Sequence, residues 1–366
     1  MVDLMEHPIV AYHIPTRAKG SPDMPHIDDA LAKYNRPEML IAISDFGMDP
    51  VVSRGIDSYD IISGIAAVLR PTLKRDGHGD WQVHVVPDRI GTASISAFRT
   101  TTPLPISEVI DGIPQLNHRD VKKLANKSPA NRLLARLGLG KGYVDLANYD
   151  NDFGQALLGA DFDHLVIKPE DGKQSSNIHI GTKPELLKAI NSGEIDTTMT
   201  WVIEEELDTT GSLPGLRGEN DEQQRLLDAA NSNNVPKELR IYTFGRQNGV
   251  LAEEGVVRAA GKDERKLGND KWIFVDQESL PDEVLLKTEK IEAIFREESG
   301  QPEIHIAVDW VFANVAGKGK IWVPMEVNGR EPEFVRIASN PELAKRLIDK
   351  LAAQLYRMSH GRVDQD

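Results

Sequence analysis

Cysteine is absent from the 366 residues. This absence excludes disulfides, zinc–thiolate sites and a thiol nucleophile. The sequence also lacks an apolar run of the roughly 18 residues that span a membrane. Residues 1–17 contain no basic segment followed by an apolar one, so we expect neither a signal peptide nor a membrane partner. Together these absences favour a cytoplasmic protein.

The sequence also lacks an excess of positive charge: 57 acidic residues outnumber 43 lysines and arginines, and the formal net charge is −14. General nucleic-acid binding requires a basic surface that neutralises phosphates, so we expect no nucleic-acid partner. An acidic excess is typical of proteins that stay dispersed in solution, and it still permits a local basic pocket. The length and the 40% hydrophobic content allow a large buried core and favour two or three lobes.

The first third of the chain alternates short apolar runs with a helical pattern. The runs at 9–13, 38–44 and 81–87 predict strands, and apolar spacing at 58–70 predicts a helix. This alternation indicates an open α/β lobe, which we place at 1–115. Loops that follow strands often bind ligands, so Asp45, Ser53 and Arg54 are candidate substrate contacts; a surface turn is the alternative.

The rest of the chain predicts a small lobe at 116–203 and a larger lobe at 204–366. In the small lobe we expect one helix over 119–139, strands at 163–169 and 199–207, and a short helix at 183–190. Residues 208–236 are polar and read as an inserted loop with a helical patch at 223–230. Five strands follow, at 238–244, 249–252, 255–259, 305–314 and 320–327, and a helix is predicted at 341–358.

Two acids and an amide form the strongest local pattern. Glu326 and Asn328 are two residues apart on an apolar strand, so their side chains share one face. A hairpin turn at 315–319 would bring Asp309, on the preceding strand, beside them. Carboxylate and amide oxygens suit Mg²⁺ that bridges nucleotide phosphates. Ordinary surface acids at a half-buried strand end are the alternative.

A lysine at the end of a strand gives the second pattern. Lys168 precedes Pro169 and a polar loop that contains Gly172, Ser175 and Ser176. Free backbone N–H groups and an ammonium are a suitable phosphate holder. A solvated strand end is the alternative, and the same ambiguity applies to Lys127 on the upstream helix.

Acidic and basic side chains on strands give the remaining patterns. Three consecutive acids precede Leu207: Glu204, Glu205 and Glu206. A strand edge that offers amides and a carboxylate to an adenine would explain them, and a solvated edge strand is the alternative. Three arginines, Arg240, Arg258 and Arg330, could stabilise charge on a phosphoryl or carboxyl group, or form structural ion pairs. We expect His179 and His305 to be structural.

The order of these elements resembles the ATP-grasp superfamily, which contains D-alanine–D-alanine ligase, glutathione synthetase and the glutamate-adding ligases. The family order is a helix lysine, a strand Lys-Pro with a phosphate loop, an acidic hinge, an acid-x-Arg strand, a further arginine, Asp and Glu-x-Asn. Here these are Lys127, Lys168 with 172–177, 204–207, Glu238 with Arg240, Arg258, Asp309, and Glu326 with Asn328. The resemblance covers about 110–335. The 208–236 insertion and the extended hairpin depart from the family pattern.

The resemblance implies an ATP-grasp fold with ATP bound between the two C-terminal lobes. Lys127, Lys168 and the loop at 172–177 would contact phosphates, residues 204–207 adenine, and Glu238 ribose. Magnesium, or manganese, would be held by Asp309, Glu326 and Asn328. The arginines would face the reacting carboxyl group and the γ-phosphate. The implied partners are a small-molecule carboxylate and an amine, such as amino acids or peptides, and a homodimer is common in the family.

The implied activity is ATP-dependent ligation, in which a carboxylate is activated as an acyl phosphate and joined to an amine. Three alternatives share the fold: a small-molecule kinase, a non-catalytic nucleotide-binding protein, and a carboxylation enzyme that handles carboxyphosphate. A degenerate site would be expected to lose some of the lysines, arginines or metal ligands, which argues against the non-catalytic protein.

Overall fold

The computed structural model describes part of the chain. The described residues are 11–14, 39–43, 83–87, 115–116, 119–150, 152–170, 177–196, 198–247, 250–261, 271–301, 303–315, 318–329, 346, 350 and 354. Within them, no helix is long and apolar enough to cross a membrane.

A parallel four-stranded sheet is described in the N-terminal part. Its strands are β1 (Ala11–Ile14), β2 (Met39–Ile43), β3 (Val83–Pro87) and β4 (Gln115–Leu116), in the order β2-β3-β1-β4. The parallel pairings confirm the predicted strands at 9–13, 38–44 and 81–87. The predicted helix at 58–70 and the candidates Asp45, Ser53 and Arg54 lie outside the described residues.

The second sheet is small and antiparallel, with the order β5-β8-β6-β7. Its strands are β5 (Tyr143–Val144), β6 (His164–Pro169), β7 (His179–Thr182) and β8 (Trp201–Glu205). The helices α3 (Phe153–Gly159) and α4 (Lys183–Asn191) belong to the same part of the chain. A buried apolar cluster packs against this sheet and includes Phe153, Leu165, Leu186, Trp201 and Ile203.

The single helix predicted over 119–139 is wrong, because two helices occupy this region. They are α1 (Arg119–Leu124) and α2 (Lys127–Arg136). Asn126 interrupts them, since it has extended backbone angles (φ −60°, ψ 149°) and precedes the first residue of α2. Leu133 and Leu134 of the predicted apolar stripe are buried. The break puts Lys127 at a helix N-terminus.

The third sheet has five antiparallel strands in the order β11-β10-β9-β12-β13. These are β9 (Lys237–Gln247), β10 (Val250–Ala259), β11 (Lys271–Phe274), β12 (Ala307–Val315) and β13 (Gly319–Asn328). The predicted strands at 249–252 and 255–259 form one strand, with a register irregularity between Leu251 and Glu253. The main hydrophobic core packs against this sheet and contains Leu239, Ile241, Val257, Phe295 and Trp310.

Two further helices pack against this core, to which α1 and α2 also contribute buried residues. The helix α5 (Asp221–Ser232) confirms the helical patch in the insertion and is capped by Asn220, whose side chain accepts from Glu222 N and Gln223 N. The helix α6 (Asp282–Ser299) was not predicted, although Val284, Ile291 and Phe295 form its buried face. Of the helix predicted at 341–358, the structure describes Arg346, Lys350 and Gln354, all helical.

Candidate functional site

The β12–β13 hairpin confirms the register predicted from the sequence. Asp309 lies directly opposite Glu326, and Ala307 lies opposite Asn328. Opposed residues of antiparallel strands project to the same face of the sheet. A register irregularity follows Asp309, between it and Trp310. The three predicted metal ligands are therefore neighbours on one face.

Asp309 is fixed by a buried arginine. Arg240 Nε lies 2.5 Å from Asp309 Oδ1 and Arg240 Nη2 lies 2.7 Å from Oδ2, an arrangement with two charge-assisted hydrogen bonds. Both side chains are almost fully buried. Asn328 Nδ2 donates to Asp309 Oδ2 at 3.0 Å, which orients the amide relative to the carboxylate.

A second arginine and an aromatic ring continue this face. Arg258 Nη1 donates to Glu238 Oε1 at 2.7 Å and lies 3.9 Å from Asp309 Oδ2. Arg258 and Arg240 both stack over the ring of Trp272, at 5.3 and 5.8 Å from its centre. Their charges are held rigidly, because each guanidinium has both a carboxylate partner and an aromatic one.

The residues on this face suit a magnesium ion. Asp309, Glu326 and Asn328 offer two carboxylates and an amide, which are the oxygen ligands that this ion prefers. Within the described part of the chain, no group of three or more His, Asp or Glu side chains is placed to hold a metal. The candidate ligand set therefore depends on the Asn328 amide.

The acidic strand β8 carries a buried ion cluster. Glu204 Oε2 lies 2.6 Å from Lys141 Nζ and 2.8 Å from Lys168 Nζ, and Asn131 Nδ2 donates to Glu204 Oε1 at 2.8 Å. Burial alone would raise the pKa of Glu204, but the two lysines and Asn131 outweigh it and lower the pKa to about 2. Burial would likewise lower the pKa of Lys168, but Glu204 and Glu326 raise it.

The expectation that Glu204–Glu206 form a strand edge is wrong at Glu204. The strand β8 is interior, because Glu204 pairs with Tyr143 on one side and Val166 on the other. Its carboxylate is already bound by three donors. Glu205 accepts from Gly142 N at 3.0 Å, Glu206 is half-exposed near His164, and Leu207 is buried against Val311 and Val323.

The N-terminus of α2 is joined to the end of β6. Lys127 Nζ donates to the backbone oxygen of Glu170 at 2.9 Å. Ser128 N donates to Glu170 Oε1 at 2.9 Å, and Ser128 Oγ donates to Oε2. Burial, as the largest effect, lowers the pKa of Lys127. These contacts hold Glu170, the residue that follows β6, at the start of α2.

The small and the five-stranded sheets meet at these charges. Lys127, Lys141 and Lys168 all interact electrostatically with Glu326. Lys141 Nζ also donates to the backbone oxygen of Met325 at 3.0 Å, directly before Glu326. Three cations of the small sheet and its neighbouring helix thus face the acidic end of β13.

Besides the three N-terminal candidates, four predicted site residues lie outside the described residues: Gly172, Ser175, Ser176 and Arg330. Sequence reasoning missed Lys141, Asn131, Glu170 and Trp272. Lys141 stands between Gly140 and Gly142 in a turn, where no periodicity assigns it a direction. His305 is buried, as expected of a structural histidine, and burial lowers its pKa to about 4.

No protein-family model and no curated protein matches this sequence. Among solved structures, the chain is similar to VanG D-Ala:D-Ser ligase from Enterococcus faecalis (14% identity, 96% of this chain and 99% of that chain, TM-score 0.47). It is also similar to D-alanine–D-alanine ligase from Bacillus anthracis (14%, 98% and 99%, 0.44). A third is the ATP-grasp ligase PsnB in complex with a minimal precursor (12%, 95% and 98%, 0.42).

Proposed function

We propose that this chain is an ATP-dependent ligase that activates a carboxylate as an acyl phosphate and joins it to an amine. The observation that carries the proposal is a set of contacts beside Glu326. Lys168 and Lys141 bind Glu204 at 2.8 and 2.6 Å, and Lys141 donates at 3.0 Å to the backbone oxygen of Met325, the neighbour of Glu326. Binding the phosphates of a nucleoside triphosphate requires this combination of fixed cations beside acidic metal ligands.

The two lysines are suited to different tasks. Lys168 stays charged, because Glu204 and Glu326 raise its pKa despite burial, so it is a permanent cation for a phosphate group. Lys127 extends from a helix N-terminus, where partial positive charge from the helix adds to its own. Gly172, Ser175 and Ser176 would complete the phosphate site with backbone and hydroxyl donors.

Adenine and ribose would be bound by residues 204–207 and by Glu238. The Glu204 carboxylate is occupied by Lys141, Lys168 and Asn131. Glu205 binds Gly142 through both its carboxylate and its backbone N–H. We therefore assign the adenine contacts to the Glu206 carboxylate and to the backbone of Leu207. The nucleotide would lie between the small lobe and the C-terminal lobe. We retain 1–115, 116–203 and 204–366 as the proposed lobes, although β8 extends across the last boundary.

Asp309, Glu326 and Asn328 would hold Mg²⁺ or Mn²⁺, which when bound neutralises phosphate oxygens and makes the γ-phosphorus more electrophilic. Arg240 would orient the Asp309 carboxylate, since it binds both oxygens. Its role is thus to position a metal ligand, which replaces the substrate contact expected from the sequence.

Arg258 and Arg330 would face the reacting groups. A carboxylate oxygen of the substrate attacks the γ-phosphorus and displaces ADP; the bound amine then attacks the acyl carbon, loses a proton and displaces phosphate. Arg258 would stabilise the oxyanion of that second step, and preorganised cations of this kind act strongly in a dry site. The substrates would be amino acids or peptides. The chain would act as a homodimer.

Hydroxylamine trapping tests the reaction. The full chain is incubated with ATP, Mg²⁺, hydroxylamine and pools of carboxylates, and hydroxamate and ADP are measured together. Hydroxamate formed in proportion to ADP is expected, because hydroxylamine intercepts an acyl phosphate. ADP with a stable phosphate ester and no hydroxamate would instead identify a kinase, and the absence of both products would contradict the proposed activity.

A further inference from the structure

Lys141 is a buried lysine that joins the two antiparallel sheets. Its side chain is 2% exposed, and it lies 2.6 Å from Glu204 Oε2. It also donates to the backbone oxygen of Met325 at 3.0 Å. Both neighbours in sequence are glycines, Gly140 and Gly142, and Gly142 itself binds the Glu205 carboxylate through its backbone N–H. Lys141 therefore contacts both the acidic strand of the small sheet and the strand that carries Glu326.

Lys141 sets the net charge of the cluster around Glu204. Glu204 is one carboxylate that binds two ammonium groups, so the cluster retains one net positive charge. Without Lys141, Lys168 alone would neutralise the buried carboxylate. The charge of Lys168 would then be fully paired with Glu204, since an uncompensated buried carboxylate is strongly unfavourable.

The two lysines differ in their access to a ligand. The Lys168 side chain is 11% exposed, whereas that of Lys141 is 2% exposed and has a second partner in Met325. Lys141 is thus the internal counter-ion, and Lys168 is the one that can also reach a phosphate. The Met325 contact ties the same counter-ion to the position of Glu326.

We propose that Lys141 is a positioning residue for the nucleotide: it neutralises Glu204 so that the charge of Lys168 is available to a phosphate group, and it holds Glu326 at that site. This inference rests on the proposed function. It assigns to Lys141 no contact with the nucleotide, so its effect is transmitted through Lys168 and Glu326.

The test is the Kd of a non-hydrolysable ATP analogue with Mg²⁺, measured by calorimetry on the full chain. Lys141→Gln keeps an N–H donor, on a side chain one bond shorter, and removes the charge. We expect binding to weaken on the order of tenfold, the loss typical of one charge-assisted interaction. Lys237→Gln is the matched control, because Lys237 is also fully buried and binds two backbone oxygens, of Thr210 and Val235. It should lower stability and leave Kd unchanged.

The double variant Lys141→Gln/Glu204→Gln separates charge balance from a merely structural role. It restores the single net positive charge through Lys168, so we expect Kd to recover most of the loss. A double variant that binds as weakly as Lys141→Gln would overturn the inference, and so would a wild-type Kd in folded Lys141→Gln. If Lys141→Gln does not fold, the charge-balanced double variant decides alone, because the proposal requires its Kd to be near the wild-type value.

Nucleotide binding by the unmodified chain distinguishes a wrong function from a wrong role of Lys141. If the unmodified chain binds no nucleotide, the proposed function is wrong and the inference fails with it. If the unmodified chain binds and the Lys141→Gln substitution has no effect, only the role of Lys141 is wrong.

Discussion

Arg240 is the side chain on which the orientation of Asp309 depends. It satisfies both carboxylate oxygens in a position where water has little access, with 4% and 2% of the two side chains exposed. Arg258 is 3.9 Å from Asp309 and is already paired with Glu238, so it is poorly placed to take over. Removal of Arg240 would leave Asp309 as a buried charge without its main partner.

We therefore predict that Arg240→Met lowers the free energy of unfolding by about 3–5 kcal/mol, the usual cost of breaking a buried ion pair. Urea denaturation measures this change. The control is Arg217→Ala, which removes the pair with Asp276 in which Arg217 is 61% exposed. Exposed pairs contribute less than about 1 kcal/mol, so equal losses in the two variants would contradict this account.

The helix α2 shows how one element completes another. Its N-cap residue, Asn126, makes no side-chain capping bond. The carboxylate comes instead from Glu170, at the far end of β6, which accepts from Ser128. Because a carboxylate at a helix N-terminus satisfies free N–H groups and the helix dipole, this contact stabilises α2 and joins its start to the end of β6.

Glu170→Ala is expected to cost about 1 kcal/mol of stability. We also expect weaker ATP binding, since Ser128 loses the carboxylate that holds the start of α2, and with it Lys127, against the end of β6. Thermal unfolding and calorimetric titration of the same samples measure the two effects. Asp152→Ala removes the cap of α3, where Asp152 accepts from Gln155 N, and should reduce stability alone. Unaltered nucleotide affinity in Glu170→Ala would show that the carboxylate serves only the helix.

The stability of the whole molecule should depend on pH through buried acids whose pKa values are shifted in opposite directions. Glu204, with its pKa lowered to about 2, stabilises the fold above its unfolded value and loses that contribution as pH falls towards 2. Burial raises the pKa of Glu292, on α6, to about 7, despite the nearby Arg246 and Arg296. Burial raises the pKa of Glu253, on β10, to about 7 as well.

A raised acid pKa means that the folded state holds the proton more tightly than the unfolded state. This contribution is complete below about pH 4.5 and is lost as pH rises through 7. We predict that the unfolding free energy falls between pH 5 and 7, by at most about 1.4 kcal/mol per pH unit for each such group. Glu292→Gln should reduce the slope in urea titrations at several pH values. Glu297→Gln, on the exposed side of the same helix, should not, and equal slopes in all three proteins would be evidence against a buried proton at Glu292.

Local sequence patterns were sufficient to predict several structural features of this molecule. The three N-terminal strands and the β12–β13 register followed from apolar runs and from a short turn, because pairing across a tight hairpin is fixed by neighbouring residues. The helix break at Asn126 and the helix α6 were missed: apolar spacing continues through the former, and dense charge in the latter hides its buried face.

The sequence by itself determined the order of the candidate site residues and the face that Asp309, Glu326 and Asn328 share. Only the tertiary structure decided which charges neutralise one another. Glu204 meets Asn131 from 73 residues away, Asp309 meets Arg240 from 69, and Lys141 meets Met325 from 184. Desolvation and side-chain geometry choose these pairs. Asp309 and Arg240 meet across two strands of one sheet, and the other pairs join separate parts of the fold. None of the pairs has a signature in the periodicity of a single strand or helix.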